Sequence, residues 1–476
     1  MGLDLLRLSA AQLQNLPKDG KVTSEQLVAT YLNQIDTHSI EGACLHAVIS
    51  TAPRAQVLCK ARESDTRRKE GGLLGPMDGI PIIIKDTLCT PTLSMDTTCG
   101  SFALQGAKAK QNAVVVDLLI KAGMIIIAKT ILTELGGMKG SMMTSGWSAV
   151  GGQTRSPYVR GEVANAPFLG HSTPCGSSSG SAVGVAAGFA PVSIGTETDG
   201  SLVQPATRAA LYGMKATPGS VDTVGIQPIS PAFDSVGGLA KTPEDLANVM
   251  SILQGQKEYG PYLRGSWKGL RVGFVDPNLW QPADFVVEPN EEFREQTKLI
   301  AGLDHDFKAS LEEYFGLFEE ETRLGKKMVR TLEELIDFNS ELKDLELPPE
   351  QPDQNGLLEA LNNQMSDERY KQGLEITRSR TRTAIQKSLS ENGIDVIMGP
   401  ADARIASVAA AAGYPVATVP LGFADFNGRA FGMNIIAPAD HEHEIFRVMS
   451  AWENTFGPRE PPPILAGDAH STGVYV

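Results

Sequence analysis

The chain has 476 residues, of which 42% are hydrophobic and 21% charged, and its formal net charge is −14. These proportions are ordinary for a water-soluble globular enzyme. The acidic balance argues against binding to nucleic acid, because phosphate backbones are bound by clustered Lys and Arg. No apolar run reaches the roughly 20 residues that a membrane-spanning helix needs. We therefore expect no nucleic-acid partner and no membrane span.

The five cysteines form no Cys-x-x-Cys pair and are odd in number. In a long chain this favours free thiols in a reducing compartment; a Cys89–Cys99 disulfide is the less favoured alternative. The N-terminal segment 1–6 lacks the basic and apolar regions of a secretory signal. Leu6 stands where a myristoylation motif has Ser or Thr. These features together predict a cytoplasmic protein.

The N-terminal half alternates between helix and strand, which predicts a βαβ unit with parallel pairing. Its predicted elements are a helix N-capped by Ser24 with Leu27, Val28, Tyr31, Leu32 and Ile35 on one face, a buried strand over 80–84 that ends at Lys85, a helix over 112–121 that ends before Gly123, a strand over 124–128, a buried helix over 182–189, and strands over 192–195 and 270–275.

The C-terminal half begins with charged, helix-favouring sequence from about 289 to 392, interrupted by a Pro-rich loop over 347–355. We expect this helical layer to cover the entrance to the site. Strands over 395–398, 416–421 and 430–436 and a helix over 441–452 follow. Because these strands return to the sheet, residues 1–476 are predicted to form one α/β domain. Its central sheet is mixed and mostly parallel, with helices on both faces.

Two serine-glycine loops and one lysine suggest a hydrolytic site without histidine. The loops are Cys175-Gly-Ser-Ser-Ser-Gly-Ser181 and Gly195-Thr-Glu-Thr-Asp-Gly-Ser201. Hydrolysis of an amide needs an activated nucleophile, an oxyanion site and a proton for the departing amine. The turn at Ser201 follows a strand, so consecutive backbone N–H groups can point into one space. Taken alone, this turn is better explained as an ordinary strand-to-helix connection.

Lys85 can act as a base only if its amine is neutral near pH 7. Burial at the end of an isoleucine-rich strand would lower its pKa. The simpler interpretation of an isolated lysine here is an ion pair with Asp86. The two serine loops favour the catalytic interpretation, because a lysine-serine-serine relay requires both of them.

Two other interpretations are less favoured. Gly176-Ser-Ser-Ser-Gly180 fits the Gly-x-Ser-x-Gly pattern with Ser178 as nucleophile, but the preceding segment is polar and contains a proline. The histidines available to that interpretation are His305, His441, His443 and His470. The His441-Glu-His443 pair has no third metal ligand placed beside it. No phosphate loop, dinucleotide fingerprint or zinc-type cysteine spacing is present in the sequence, so no cofactor is expected.

With these residues in view, nearly the whole chain resembles the amidase signature family, and most closely its branch of bacterial peptide amidases and fungal amidases. The segments that carry the resemblance are Gly75–Asp86, Ser145–Tyr158, Pro174–Ala182, Gly195–Ser201, Gly213–Thr217, Pro228–Ser230 and Ala411–Val416. Many other members of the family carry glycine at the position of Asp199.

The resemblance implies a role for each site residue. Ser201 would be the acyl-forming nucleophile, Ser177 the bridging serine, held through a cis peptide, and Lys85 the terminal base. Ser178 would be a supporting hydrogen-bond partner. The backbone N–H groups that would hold the oxyanion are those of Thr198, Asp199, Gly200 and Ser201. The chain departs from the common family sequence at Gln204 and over 215–224, which concerns the substrate more than the type of reaction.

The expected activity is hydrolysis of a linear carboxamide C–N bond, in a small-molecule amide or a short peptide amide, with release of ammonia or an amine. A fatty amide is a less favoured substrate. Two alternatives stay open: a glutamine-hydrolysing amidotransferase component that works with a partner enzyme, and a non-catalytic binding homologue. The oligomeric state is also open, a homodimer included.

Overall fold

A ten-stranded sheet forms the centre of the fold. The computed structural model describes residues 3–18, 22–140, 143–159, 170, 172–255, 257–276, 298–323 and 325–466. Its strands are β1 (Val48–Thr51), β2 (Pro81–Lys85), β3 (Ile125–Thr130), β4 (Trp147–Ser148), β5 (Gly152–Gln153), β6 (Val192–Glu197), β7 (Tyr212–Lys215), β8 (Ser235–Ala240), β9 (Val272–Phe274), β10 (Val396–Pro400), β11 (Val416–Phe423) and β12 (Ala430–Ile436). Strands β4 and β5 pair with each other in a separate ribbon.

Helices lie before, between and after these strands. They are α1 (Ala10–Lys18), α2 (Ser24–His38), α3 (Arg54–Lys69), α4 (Val114–Lys121), α5 (Ser179–Ala186), α6 (Val203–Arg208), α7 (Pro243–Leu253), α8 (Lys298–Phe315), α9 (Leu332–Glu341), α10 (Lys343–Glu346), α11 (Asn355–Leu361), α12 (Asp367–Asn392), α13 (Ile405–Ala412), α14 (Glu442–Phe456) and α15 (Pro463–Ala466).

The strand order in the large sheet is β1-β3-β2-β6-β8-β7-β11-β12-β10-β9. Parallel pairing joins β3 to β2 and β2 to β6, which confirms the predicted βαβ unit, and it also joins β9 to β10. The other neighbours are antiparallel. Short connections such as the one from β11 to β12 can only join antiparallel strands. The sheet is therefore mixed, and its parallel pairing is less extensive than the sequence suggests.

Both faces of the sheet are covered by helices, as predicted. In β8, Val236 and Ala240 belong to one apolar cluster and Leu239 belongs to the other. This division follows from the alternation of side chains along a strand. Helices α2, α4, α7 and α14 contribute residues to the first cluster, α6 and α13 contribute to the second, and α5 contributes to both. Both halves of the chain contribute to both layers, so the sequence forms one domain around a common sheet.

The predicted helical layer is present over α8 to α12. Phe307, Leu311 and Phe315 of α8 pack with Leu332, Leu335 and Leu357 in a third apolar cluster, against Cys89, Cys99 and Leu135 beside the sheet. The loop between α10 and α11 lies where the Pro-rich segment predicts it. The beginning of the predicted layer, 289–297, lies outside the described residues. Among the described helices, none is both long and apolar enough to cross a membrane.

Two local predictions need comment. Helix α2 buries the five predicted residues, but Thr23 and not Ser24 is its N-cap. Thr23 Oγ1 accepts from the Gln26 N–H at 3.1 Å, and the Gln26 side chain accepts from the Thr23 N–H at 2.9 Å. This reciprocal capping box sets the first turn one residue earlier than predicted.

The five cysteines are free thiols, which is the alternative that the sequence favoured.

Candidate functional site

Lys85 lies at the carboxyl end of β2, in the middle of the parallel part of the sheet. Every residue of Pro81–Lys85 is buried, because β3 and β6 flank the strand on both sides. The Lys85 side chain is 1% exposed. Its Nζ lies 2.7 Å from Ser177 Oγ, 2.8 Å from Thr196 Oγ1 and 3.4 Å from the Thr196 carbonyl oxygen. Lys85 and Ser177, which are distant in sequence, are therefore in direct contact.

The alternative in which Lys85 pairs with Asp86 does not hold. Asp86 points to the other side of the strand, where its carboxylate forms an ion pair with Lys129 of β3 at 2.8 Å. Both of those side chains are buried. Successive side chains of a strand point to opposite faces, so neighbouring residues cannot share one environment. Within the described part of the chain, the Lys85 amine contacts hydroxyl and carbonyl oxygens.

Burial lowers the pKa of Lys85 to about 7, and the negative charges of Asp234 and Glu197 oppose this shift. An amine in a dry environment prefers its neutral form. The three contacts suit a neutral amine, which can donate two hydrogen bonds to Thr196 and accept one from the Ser177 hydroxyl. At neutral pH, a substantial fraction of Lys85 can therefore take up a proton.

Ser177 lies in a sharp turn before α5. Cys175 and Gly176 both have left-handed backbone conformations, with φ of 64° and 58°. A Cβ on Gly176 would lie 2.4 Å from Pro205 Cδ, so this position requires glycine. The described residues contain no cis peptide bond, so the expected cis peptide at Ser177 is wrong. The two left-handed residues reverse the chain with trans peptides.

Ser201 lies in the turn between β6 and α6, beside the Ser177 loop. The Ser178 N–H donates to the Ser201 carbonyl oxygen at 2.8 Å, which joins the two loops. Glu197 Oε2 accepts from the N–H groups of Leu202 and Val203, each at 2.8 Å, and so fixes the start of α6. Ser201 is 8% exposed, against 0% for Ser177. Of the two, Ser201 is the serine nearer to solvent.

The structure does not show every link of a relay. Among the described residues, no hydrogen bond joins Ser201 Oγ to Ser177 Oγ. Catalytic hydrogen bonds are often long or poorly aligned in unliganded enzymes and shorten when substrate binds. The Lys85–Ser177 contact is formed, and the second link, from Ser177 to Ser201, stays a prediction.

The segment Thr198–Ser201, called here the oxyanion loop, has the backbone predicted for an anion site. None of its four N–H groups donates a hydrogen bond to another described residue. Gly200 has φ of 73°, and a Cβ there would lie 2.7 Å from Gln204 Cδ. Successive free N–H groups in such a turn form a concave donor site for an anion.

Ser178 does not have the surroundings of a nucleophile. Its Oγ donates to the Thr196 carbonyl oxygen at 3.1 Å and accepts from the Thr196 N–H at 3.3 Å. A Ser178 nucleophile would also need a histidine as its base. His305 contacts Asp306 and Asp367. His441 and His443 lie at the start of α14, and His470 lies outside the described residues. The described part of the chain holds no His, Cys, Asp and Glu cluster suited to a metal.

Four residues near the site were not predicted to be part of it. Thr196 contacts Lys85, Asp234 accepts from Thr198 Oγ1 at 2.5 Å, and Lys215 Nζ donates to the Thr198 carbonyl oxygen at 2.8 Å. Ser407 Oγ donates to the Asp199 carboxylate at 2.8 Å. Thr196 lies within a segment already singled out, so strand alternation could have indicated it. The others come from distant parts of the chain and carry no local signal.

A buried lysine beside a serine, two crossing serine-glycine loops and a mixed sheet between helical layers define an amide-hydrolysing class of enzyme. A family model described as Amidase matches residues 26–407. The chain therefore belongs to the amidase signature family, and it is an amidase, a hydrolase of carbon–nitrogen bonds.

Individual relatives agree with this. The native peptide amidase from Stenotrophomonas maltophilia has a similar structure, with a TM-score of 0.83 and 32% identity over 96% of this chain and 98% of that one. An Arabidopsis thaliana protein named a probable amidase is 30% identical, over 94% of this chain and 89% of its own length. One component of the glutamyl-tRNA(Gln) amidotransferase of Symbiobacterium thermophilum is 36% identical, over 52% of this chain and 47% of its own.

Proposed function

We propose that this amidase hydrolyses the C–N bond of a linear carboxamide through an acyl-enzyme on Ser201, and that Ser177 and Lys85 carry the proton. The observation that supports this most directly is the 2.7 Å contact between Lys85 Nζ and Ser177 Oγ. A fully buried lysine whose contacts are hydroxyl and carbonyl oxygens is costly to keep charged, and catalysis provides a reason for its presence.

The first step forms a tetrahedral adduct on Ser201. Ser201 Oγ attacks the amide carbonyl carbon, and its proton passes to Ser177 Oγ. Ser177 gives its own proton to the neutral amine of Lys85, which becomes an ammonium. The carbonyl oxygen takes up the negative charge, which the N–H groups of the oxyanion loop stabilise. Ser177 thus exchanges its own proton for that of Ser201, and Lys85 holds the proton that Ser177 gave up.

The second step returns that proton. Lys85 donates to Ser177 as Ser177 donates to the leaving nitrogen, so the C–N bond breaks and ammonia or an amine departs. The loss of the amine leaves the acyl-enzyme. Water then attacks the ester carbonyl of acylated Ser201 and gives a proton to the same path, the bond between Ser201 Oγ and the acyl carbon breaks, and the path returns the proton to Ser201 Oγ. The products are a carboxylic acid and the free amine, and Ser201 is regenerated.

The substrate we infer is a small-molecule amide or the terminal amide of a short peptide. The similarity to a peptide amidase over almost the full length of both chains favours this class. The amidotransferase relative matches only about half of this chain, which makes a glutamine-hydrolysing component of a larger enzyme the weaker alternative.

The test is release of ammonia or amine from a panel of amides that includes peptide amides and glutamine. Wild type is compared with Ser201→Ala, Ser177→Ala and Lys85→Ala. A matched control is Ser193→Ala, since Ser193 is a buried serine of β6 whose hydroxyl donates to the Ser181 carbonyl oxygen, away from the site residues. We expect turnover that the three site substitutions abolish and the control retains.

Other outcomes decide between the alternatives. Turnover of glutamine alone, increased by a partner enzyme, would favour the amidotransferase interpretation. A fluorophosphonate probe tests whether the protein is a non-catalytic binding homologue, because the probe labels only an activated serine. If wild type shows neither turnover nor labelling of Ser201, the proposed relay is wrong.

A further inference from the structure

Asp234 precedes β8 and connects two loops beside the site. Its Oδ2 accepts from the N–H groups of Ile229 and Ser230, at 2.8 and 2.9 Å. Its Oδ1 accepts from Thr198 Oγ1 at 2.5 Å. The carboxylate therefore joins the 229–230 loop to the first residue of the oxyanion loop. All three bonds are partly buried, and hydrogen bonds to a charged group are stronger than those between neutral groups.

Thr198 is also held from its other end. Lys215 Nζ donates to the Thr198 carbonyl oxygen at 2.8 Å, and the Lys215 side chain is buried on β7. The side chain of Thr198 is thus fixed by an anion and its carbonyl group by a lysine. These two contacts set the direction of the peptide planes at the start of the oxyanion loop. Displacement of such donors by about 1 Å can slow catalysis about a hundredfold.

Asp234 shares a small cavity with Thr196, which contacts Lys85. The cavity has a volume of about 60 Å³ and is lined by Asp234, Thr198 and Thr196, and Thr196 Oγ1 contacts Lys85 Nζ. A charge acts more strongly on a buried group than on one in water. Of the charges that raise the pKa of Lys85, that of Asp234 has the largest effect. Burial in turn raises the pKa of Asp234 to about 6.

Several other charged groups surround this pair. Glu197 of β6 and Lys215 of β7 face the same interior. From the helical layer, Asp306 accepts from the Ser230 hydroxyl, and the Arg378 guanidinium donates to the Ala232 carbonyl oxygen. Asp234 is the member of this group that contacts the oxyanion loop through its side chain and also acts on Lys85.

We propose that Asp234 is a positioning residue of the active site, which orients the oxyanion loop through Thr198 and sets the electrostatic environment of Lys85. This inference rests on the relay proposed above. The carboxylate itself transfers no proton to substrate. It acts on the donors of the oxyanion loop by geometry and on the base by charge.

The test uses Asp234→Asn, which removes the charge but keeps the shape of the side chain. The matched control is Asp245→Asn. Asp245 is fully buried, whereas Asp234 is partly buried. The pKa of Asp245 is likewise raised to about 6, and its carboxylate accepts from two backbone N–H groups, those of Ala10 and Ala11. Each variant is measured for kcat and KM across pH 5 to 9, with thermal unfolding as a check on folding.

We expect Asp234→Asn to move the acidic limb of the kcat/KM profile to lower pH, because a lost negative charge makes Lys85 easier to deprotonate. Its kcat should fall about tenfold or more, with a smaller change in KM. For Asp245→Asn, both the acidic limb of the kcat/KM profile and the value of kcat should stay near those of the wild type. If Asp234→Asn matches wild type in both respects, the proposal is overturned.

A second variant separates the two effects and covers a failure to fold. Thr198→Val removes the hydroxyl that Asp234 binds but keeps the charge of Asp234 and its two backbone bonds. We expect a lower kcat with no movement of the limb, and an unchanged kcat would overturn the positioning role. If Ser201→Ala itself retains turnover, the relay is wrong. If it loses turnover while Asp234→Asn behaves like Asp245→Asn, only the role of Asp234 is wrong.

Discussion

The candidate active site and the contact between the sheet and the helical layer each bury a lysine, but the two lysines have chemically different partners. Lys85 and Lys139 are both 1% exposed. Lys85 contacts a serine and a threonine, whereas Lys139 Nζ lies 2.6 Å from carboxylate oxygens of both Glu134 and Glu346. Depth of burial is therefore the same, and the partners differ.

The partners decide what each lysine does. Lys139 forms ion pairs with the carboxylates of Glu134 and Glu346, and together the three groups hold α10 against the segment after β3. Burial and the nearby Glu346 raise the pKa of Glu134 well above its usual range. Hydroxyl groups beside Lys85 leave burial as the main influence, so its amine can be neutral and act as a base. One residue type thus serves structure in one region and, in the proposed mechanism, chemistry in the other.

The largest expected effect is on turnover when Lys85 is changed. Lys85→Met should lower kcat/KM by about 10³-fold or more, because general base catalysis contributes roughly 10²–10⁴-fold and the relay residues act as a unit. The free energy of unfolding should not fall, since methionine is easily buried. Steady-state kinetics and urea unfolding measure the two quantities. A variant with near wild-type kcat/KM would remove Lys85 from the mechanism.

The reverse pattern is expected for Lys139. Lys139→Met leaves two buried carboxyl groups without their cation, which should lower the free energy of unfolding by about 3–5 kcal/mol. The activity of the folded fraction should be retained. Lys343→Met provides the control, because Lys343 is an exposed lysine of α10, close in sequence to Glu346. Equal stability of the two variants in urea would contradict the structural role of Lys139.

The pH dependence of activity should follow Lys85. Only its neutral form accepts a proton, and its pKa is about 7, so kcat/KM should rise with pH through about 7 and level off above it. Below the pKa, the rate should drop about tenfold per pH unit. A profile measured from pH 5 to 9 tests this. A plateau that extends to pH 5 would mean that Lys85 is not the titrating base.

The smallest effect is expected for Ser178→Ala. Its hydroxyl bridges the Thr196 carbonyl oxygen and N–H, and Thr196 in turn contacts Lys85. Its loss should cost about 1 kcal/mol of stability and should reduce kcat only a few-fold. Kinetics beside Ser193→Ala measure the difference. A loss as large as that of Lys85→Met would give Ser178 a direct role in the reaction.

Local patterns predicted most of the fold. The apolar run before Lys85, the glycine after α4 and the apolar segment of β12 indicated strands and helices close to their observed bounds. The capping residue of α2 was misplaced because Thr23 and Ser24 are both good caps, and only the reciprocal bond to Gln26 distinguishes them. The extent of parallel pairing was not predictable, because it depends on which distant strands become neighbours.

Of the candidate site, the structure confirms one predicted contact. Lys85, Ser177 and Ser201 lie in short segments with marked composition, and the structure places Lys85 against Ser177. Asp234 and Ser407 come from segments whose sequences give no local sign of function, and they reach the site through tertiary packing alone. Asp86 binds Lys129, which leaves Lys85 to its hydroxyl partners. This arrangement follows from the alternation of side chains along β2 and from the pairing of β2 with β3.

The order of strands also affects how the chain is synthesised. Strand β7 pairs with β11, and residues 216 to 415 separate the two. At about 5–20 residues per second, roughly 10–40 s pass on the ribosome between the emergence of these strands. During that interval, one edge of β7 has no partner from β11, and exposed strand edges promote aggregation. We therefore expect nascent chains truncated before residue 416 to need chaperones, although Lys85, Ser177 and Ser201 have all been made.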